Sequence, residues 1–163
     1  STEELSEILD ICADVRKELS AAGMEYAEDT QLGIMIETPA SAIMSDSLSK
    51  HCDFFSVGTN DLCQYTLAAD RQNPDVDSLI DKNRESVLRL IAYASEQIHA
   101  HGGWIGICGE LAADTSLTEF FMDCGYTELS VSPPNILRVK KKLSELHGSA
   151  LKAFKCDGNI QKS

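Results

Sequence analysis

Three short runs carry the residue types that could do chemistry: Glu37 in "GIMIETP", Asn60 and Asp61 in "GTND", and Cys108 in "WIGICGE". Two carboxylates from adjacent strands are hard oxygen ligands, suited to an octahedral Mg²⁺ whose remaining positions go to water and substrate oxygens. The same carboxylates could instead cap the helices that follow them, Asp61 complementing the dipole of a first turn. Gly58-Thr59-Asn60-Asp61 sets small residues and free backbone amides ahead of a helix start, a cradle for an anion, although four residues of this kind also make an ordinary helix entry. Arg71 lies beyond that helix. Its planar fork could fold back onto a carboxylate or phosphate, or simply stand in solvent.

Cys108 sits between Gly106 and Gly109, which leave room for a ligand to approach the backbone. A thiol can give up a proton as well as attack. His99 and His101 fall on or just past the preceding helix, at the far end of any sheet from Cys108, so no Cys–His nucleophilic pair is formed and both read as surface residues. The chemistry that fits is a thiol protonating an enolate beside a metal held by two carboxylates. The other cysteines, Cys12, Cys52, Cys63, Cys124 and Cys156, lie in apolar or helix-like contexts with no C-x-x-C pair. They read as reduced, small hydrophobic residues and not as a disulfide framework or a zinc site.

The elements that must position these residues alternate along the chain. A capping box, Ser1 to Glu4, opens a helix with apolar residues at Leu5, Ile8, Leu9, Cys12, Val15 and Leu19, and Gly23 ends it. Strand 33–37 precedes a helix with Pro39 in its first turn, and strand 53–58 precedes the short helix of "TNDLCQYTL". A polar loop at 70–78 leads to a longer helix through Val87, Leu88, Ile91, Ala94 and Ile98, ended by Gly102-Gly103. Then come strand 104–108, a helix capped by Asp114, strand 128–132 and a last helix opened by Pro133-Pro134 that ends near Gly148. Residues 1–147 read as one domain and 148–163 as a polar, frayed tail.

Short apolar strands alternating with helices imply right-handed βαβ units and a parallel sheet, hence an α/β fold. Residues following the strands' C-terminal ends then share one rim: Glu37, then Asn60 and Asp61, then Cys108 and Glu110. Only four strands are visible, whereas a closed (β/α)₈ barrel needs about 250 residues. The chain is therefore either a small open α/β domain or part of a barrel.

A formal charge of −12 repels phosphate backbones and anionic membranes, which makes nucleic acid a poor partner. No apolar run approaches the roughly 20 residues of a membrane span. The opening "STEELSEILD" has neither the basic nor the apolar region of a signal peptide, so the expected compartment is the cytoplasm.

With these residues assembled, the chain resembles the C-terminal phosphoenolpyruvate-binding domain of Enzyme I of the bacterial sugar phosphotransferase system. The matching runs are "GIMIETPASA", "CDFFSVGTNDLCQYTLAADR", "GICGELAAD" and "ELSVSPPNILRVK". Pyruvate phosphate dikinase and phosphoenolpyruvate synthase share the "GTNDL" and "CGE" signatures. The resemblance implies the C-terminal part of a (β/α)₈ barrel, incomplete here, whose rim binds phosphoenolpyruvate and Mg²⁺. By the family pattern Glu37 and Asp61 ligate the metal, Asn60, Asp61 and Arg71 contact phosphoenolpyruvate, and Cys108 protonates the enolate as pyruvate forms. The family passes the phosphoryl group to a histidine on a swivelling domain and then to the carrier HPr. A cut barrel leaves an unpaired strand edge and an apolar face, so a dimer or higher oligomer is expected.

Some positions depart from the family pattern. Ala113 and Thr115 stand where Gly and Pro are common, and Cys63 stands where Thr is usual. No early-strand arginine that would hold the transferred phosphate is present, so the chain alone should bind phosphoenolpyruvate weakly and lack turnover. Two alternatives stay open at this point: a dikinase or synthase domain that regenerates phosphoenolpyruvate with ATP, and a regulatory or interaction module that keeps the rim without turnover.

Overall fold

The structure, a computed structural model, describes the backbone of residues 1–156 and their side chains except at 77, 79–81 and 147–156. Four strands, β1 (Gly33–Ile36), β2 (Phe54–Gly58), β3 (Trp104–Cys108) and β4 (Glu128–Ser130), form one sheet in the order β1-β2-β3-β4. Every pairing is parallel. Each strand begins in a short apolar run that the chain leaves through a helix, as a crossover between parallel neighbours requires.

Helix α1 (Thr2–Ala21) opens with the expected reciprocal cap, Glu4 N–H donating to the Ser1 hydroxyl while the Glu4 carboxylate binds the Ser1 amine. After β1 come α2 (Pro39–Ile43) and α3 (Ser45–Leu48), and after β2 come α4 (Thr59–Leu67) and the long α5 (Asp77–Ala100). After β3 come α6 (Glu110–Ala113) and α7 (Thr118–Asp123), and after β4 comes α8 (Ile136–Cys156).

Strands β1, β2 and β4 differ by one or two residues from the expected 33–37, 53–58 and 128–132, Pro133-Pro134 open a 3-10 turn (Pro133–Asn135) ahead of α8, and two further boundaries differ more. Asp114 does not cap α7, whose N-cap position is Leu117; the Asp114 carboxylate instead accepts from the Ser116 N–H and hydroxyl and pairs with Arg84 at 3.2 Å. Helix α8 runs on through position 148 to Cys156, so Gly148 does not stop it. One glycine costs a helix about 1 kcal/mol, too little to end a strongly amphipathic one. The expected tail thus falls partly on this helix and, at 157–163, outside the described residues.

The helices cover one face of the sheet. Ile36, Phe55, Val57, Ile105 and Ile107 are fully buried against Val87, Ile91, Ala94 and Ile98 of α5 and against Leu62 of α4. Burying each such side chain contributes roughly 1.5–3 kcal/mol. The alternate strand positions form the other face, where Met35 is 48% exposed and Glu128 and Ser130 are exposed. At its lower end the Phe54 ring fills the space beside Gly33 and stacks on Trp104, with ring centroids 4.7 Å apart. Parallel sheets are ordinarily covered on both faces, and among the described residues no helix packs on this one.

Candidate active site

The strand register brings the C-terminal ends of all four strands to one level. Ile36 pairs with Val57, Val57 with Ile107 and Ile107 with Leu129, and one step further Gly58 pairs with Cys108 and Cys108 with Ser130. Glu37, which follows Ile36, joins that row beside Gly58. Side chains two residues apart share a face, so Glu37, Gly58, Cys108 and Ser130 lie on the face opposite the helices. With strands about 4.8 Å apart, Glu37 and Cys108 are separated at the backbone by about 10 Å, with side-chain-free Gly58 between them.

Glu37 is half-buried and leans into that gap, with Oε1 2.7 Å from where a Cβ on Gly58 would stand. Helix α2 does not need it as a cap, because Thr38 fills that role by accepting from the Ser41 N–H at 3.1 Å. Asp61 occupies the first turn of α4, whose N-cap is Gly58 and which has no side-chain cap. Among the described residues no hydrogen bond or ion pair engages either carboxylate, so the alternative in which they serve as caps finds no bond to support it. Two carboxylates from neighbouring elements are oxygen donors of the type a hard divalent cation takes, and Glu37 lies in the space that Gly58 leaves clear. Among the described residues no group of three or more His, Cys, Asp and Glu stands close enough to hold a metal ion by itself, so a cation here would need water or ligand oxygens.

The loop carrying Cys108 is gripped by α4. The Thr59 hydroxyl donates to the Cys108 carbonyl at 2.7 Å, and Asn60 Oδ1 accepts from the Glu110 N–H at 2.9 Å. Between the two bonds stands Gly109 with φ +89°, a conformation that favours glycine, and a Cβ there would lie 2.5 Å from Thr59 Oγ1 and 2.7 Å from Asn60 Oδ1. Asn60 therefore serves as the missing cap of α6, and its Nδ2 is left as a donor at the rim.

Other contacts fix the same loop from outside. Burial pushes the Asp114 carboxyl up, but the Ser116 hydroxyl and N–H and the Arg84 guanidinium more than offset this and hold it below the usual carboxylate range. Arg138 Nη2 donates to the Ala113 carbonyl at 2.8 Å. Beyond the rim a hollow of about 280 Å³ is lined by Asn60, Gly109, Glu110, Ala113, Ser130, Ser132 and Asn135. A larger hollow, about 600 Å³, lies along α4 and α5 and contains none of the residues the sequence singled out.

Glu37, Asn60, Asp61 and Cys108 are thus brought to one edge, and among the described residues no hydrogen bond or ion pair joins Arg71 to them. Arg71 is exposed in the loop after α4, where its N–H donates to Gln64 Oε1 at 3.3 Å. His99 binds the Gly125 carbonyl through Nε2 at 3.1 Å, at the end of α5 that precedes β3 and far from the rim. Burial pushes the Cys63 thiol up to about 11, with the nearby Glu110 charge adding to it, as suits a structural thiol. The sequence reading named Thr59 only as part of the anion cradle, not as a partner of the Cys108 loop, and missed Arg84, Arg138, Ser130 and Ser132. Thr59 alone had a signal, its place inside "GTND".

A family model described as "PEP-utilising enzyme, PEP-binding domain" matches residues 1–148. Among curated relatives, phosphoenolpyruvate-protein phosphotransferase of Enterococcus faecalis is 43% identical over 155 residues, covering 90% of this chain and 27% of the relative. Proteins of the same name from Listeria monocytogenes and Bacillus subtilis are 40% and 38% identical over 148 and 152 residues, covering 91% and 93% of this chain and 26% and 27% of theirs. The chain spans about a quarter of the length of the curated relatives it matches. These names do not favour the dikinase or synthase alternative. A solved citrate synthase variant is similar at 16% identity and a TM-score of 0.44, over 83% of this chain and 53% of that one.

Proposed function

This chain belongs to the PEP-utilising enzymes, as their PEP-binding domain, and from that premise we propose that it is the C-terminal part of an Enzyme I type phosphotransferase acting on phosphoenolpyruvate in the cytoplasm. The single observation that supports this most is the row Glu37–Gly58–Cys108 on one face of the sheet at the strands' C-terminal edge. The uncovered sheet face, parallel strands and two free edges are what a partial (β/α)₈ barrel would present, its other strands coming from elsewhere.

Glu37 and Asp61 would hold Mg²⁺, which would supply charge stabilisation to the substrate's oxygens when bound. Asn60 donates through Nδ2 to an anionic oxygen, Asp61 borders the same anion, and Arg71 reaches it only if its loop closes over the rim. As the phosphoryl group leaves for a histidine elsewhere in the parent, and then for HPr, the P–O bond breaks and its electrons pass to the enol oxygen. The enolate then collapses to a carbonyl as C3 takes the proton from the Cys108 thiol. The S–H bond breaks, a C3–H bond forms, and solvent reprotonates the sulfur. A half-buried thiol beside a glycine can approach one face of a planar enolate closely.

The test is a titration of this chain with phosphoenolpyruvate, with and without Mg²⁺, followed by amide chemical shifts. Metal-dependent shifts at 58–61 and 108–110 are expected, with weak affinity. Shifts confined to other surfaces, or the same with and without metal, would refute the proposal.

A further inference from the structure

We infer that Thr59 is a positioning residue for Cys108: its hydroxyl fixes the direction in which the thiol leaves the end of β3. The inference rests on the reading of Cys108 as the proton donor. Thr59 is fully buried, yet it stands next to Asn60 at the rim and spends its one donor on the Cys108 carbonyl at 2.7 Å. Without it that carbonyl, at the point where the strand ladder stops, would lose its partner. The direction of a Cα–Cβ bond is set once the backbone on either side is set. The Cys108 N side is held by strand pairing with Gly58 and Ser130, and its C=O side by Thr59. The next peptide is held in turn by the Glu110 N–H on Asn60 Oδ1. Only χ1 then remains to aim the sulfur.

The position requires a short side chain that can both donate and fill a buried space. Serine keeps the donor, and valine keeps the shape but loses it. Gly109 makes the same point from the other strand, since a side chain there would strike the Thr59 hydroxyl. The two runs "GTN" and "CGE" are thus two halves of one lock, which gives a physical reason for them to occur together.

The experiment is iodoacetamide alkylation of the folded chain, with the rate at each cysteine read by peptide mass spectrometry. Losing a hydrogen bond to a buried acceptor costs about 1–3 kcal/mol, so Thr59→Val should speed alkylation of Cys108 by about fivefold or more, and Thr59→Ser should stay within about twofold of wild type. Cys52 and Cys124, also half-buried, should keep their wild-type rates. An unchanged Cys108 rate in Thr59→Val, a failure of serine to restore it, or equal acceleration of all three thiols would overturn the inference. If Thr59→Val does not fold, Gly109→Ala displaces the same hydroxyl and must give the same selective acceleration. Protection of wild-type Cys108 by phosphoenolpyruvate with Mg²⁺ tests the functional reading separately. Selective acceleration without such protection would leave the positioning role standing and remove the enzymatic one.

Discussion

The Glu37 carboxylate occupies the space that a side chain at Gly58 would need, with Oε1 2.7 Å from the would-be Cβ. Gly58 has φ −82°, so the glycine is required here for room and not for its backbone conformation. Gly58→Ala should fold, because the clash is with the movable end of a side chain, at a cost of about 1–3 kcal/mol. It should also push the carboxylate out of the row and abolish any metal-dependent response to phosphoenolpyruvate. A thermal melt with the titration described above checks both, and a variant that responds to the metal as wild type does would show that Glu37 is not a ligand.

Glu37→Ala and Asp61→Ala should each remove Mg²⁺ dependence with little effect on stability, since among the described residues neither carboxylate has a hydrogen bond or ion pair to lose. Calorimetry with Mg²⁺ and phosphoenolpyruvate is the measurement. An exposed carboxylate such as Glu128→Ala provides the control that should change nothing.

In an intact parent chain, Cys108→Ala should eliminate pyruvate formation while leaving metal binding near wild type. General acid catalysis is worth about 10²–10⁴-fold, so the loss should be of that order. Wild-type turnover in this variant would assign the proton to another group.

The uncovered sheet face and the free edges at β1 and β4 should make the chain self-associate. Light scattering at micromolar concentration should give a mass above that of one 17.8 kDa chain, and Met35→Lys, on the uncovered face, should shift it toward the monomer. A single monomeric species for the wild type would contradict this.

Stability should fall as pH rises above neutral. Burial raises the Cys63 thiol to about 11 and raises the Tyr126 hydroxyl, which donates to the Ile91 carbonyl at 3.1 Å, above its ordinary value. The folded chain therefore holds protons that the unfolded chain releases from about pH 8.5 at the thiol and about pH 10 at the phenol. Their contribution is complete below that window and is lost on climbing through it. Urea midpoints measured from pH 7 to 11 should decline, and Cys63→Ala with Tyr126→Phe should flatten the slope. A flat wild-type profile would mean that these groups are solvated.

Much of this was legible in the sequence because the strands are short runs, apolar on the face that meets the helices and followed by polar residues at one end. That pattern predicted four strands and placed Glu37, Asp61 and Cys108 on a common edge. It could not show which atoms of Thr59 and Asn60 would be occupied, since both bonds cross from β2's loop to β3's and depend on register. Asp114 misled for a related reason: an Asp ahead of an apolar run reads as a helix cap, but the nearer Ser116 hydroxyl and N–H and the Arg84 charge claimed its oxygens. Arg71 is assigned to the site by the family pattern, since its chemistry alone also suits a side chain standing in solvent, and a loop's path is not written in composition.

The stack of Phe54 on Trp104 gives the molecule its own optical gauge. Trp104 is the sole indole of the chain and lies at the foot of the bare sheet face, four residues below Cys108 along β3 and hence about 13 Å from the rim. Its emission should therefore respond when something seats itself on that face and stay silent when a small anion enters at the top. Assembly and ligand capture can then be followed as two separate signals in one cuvette.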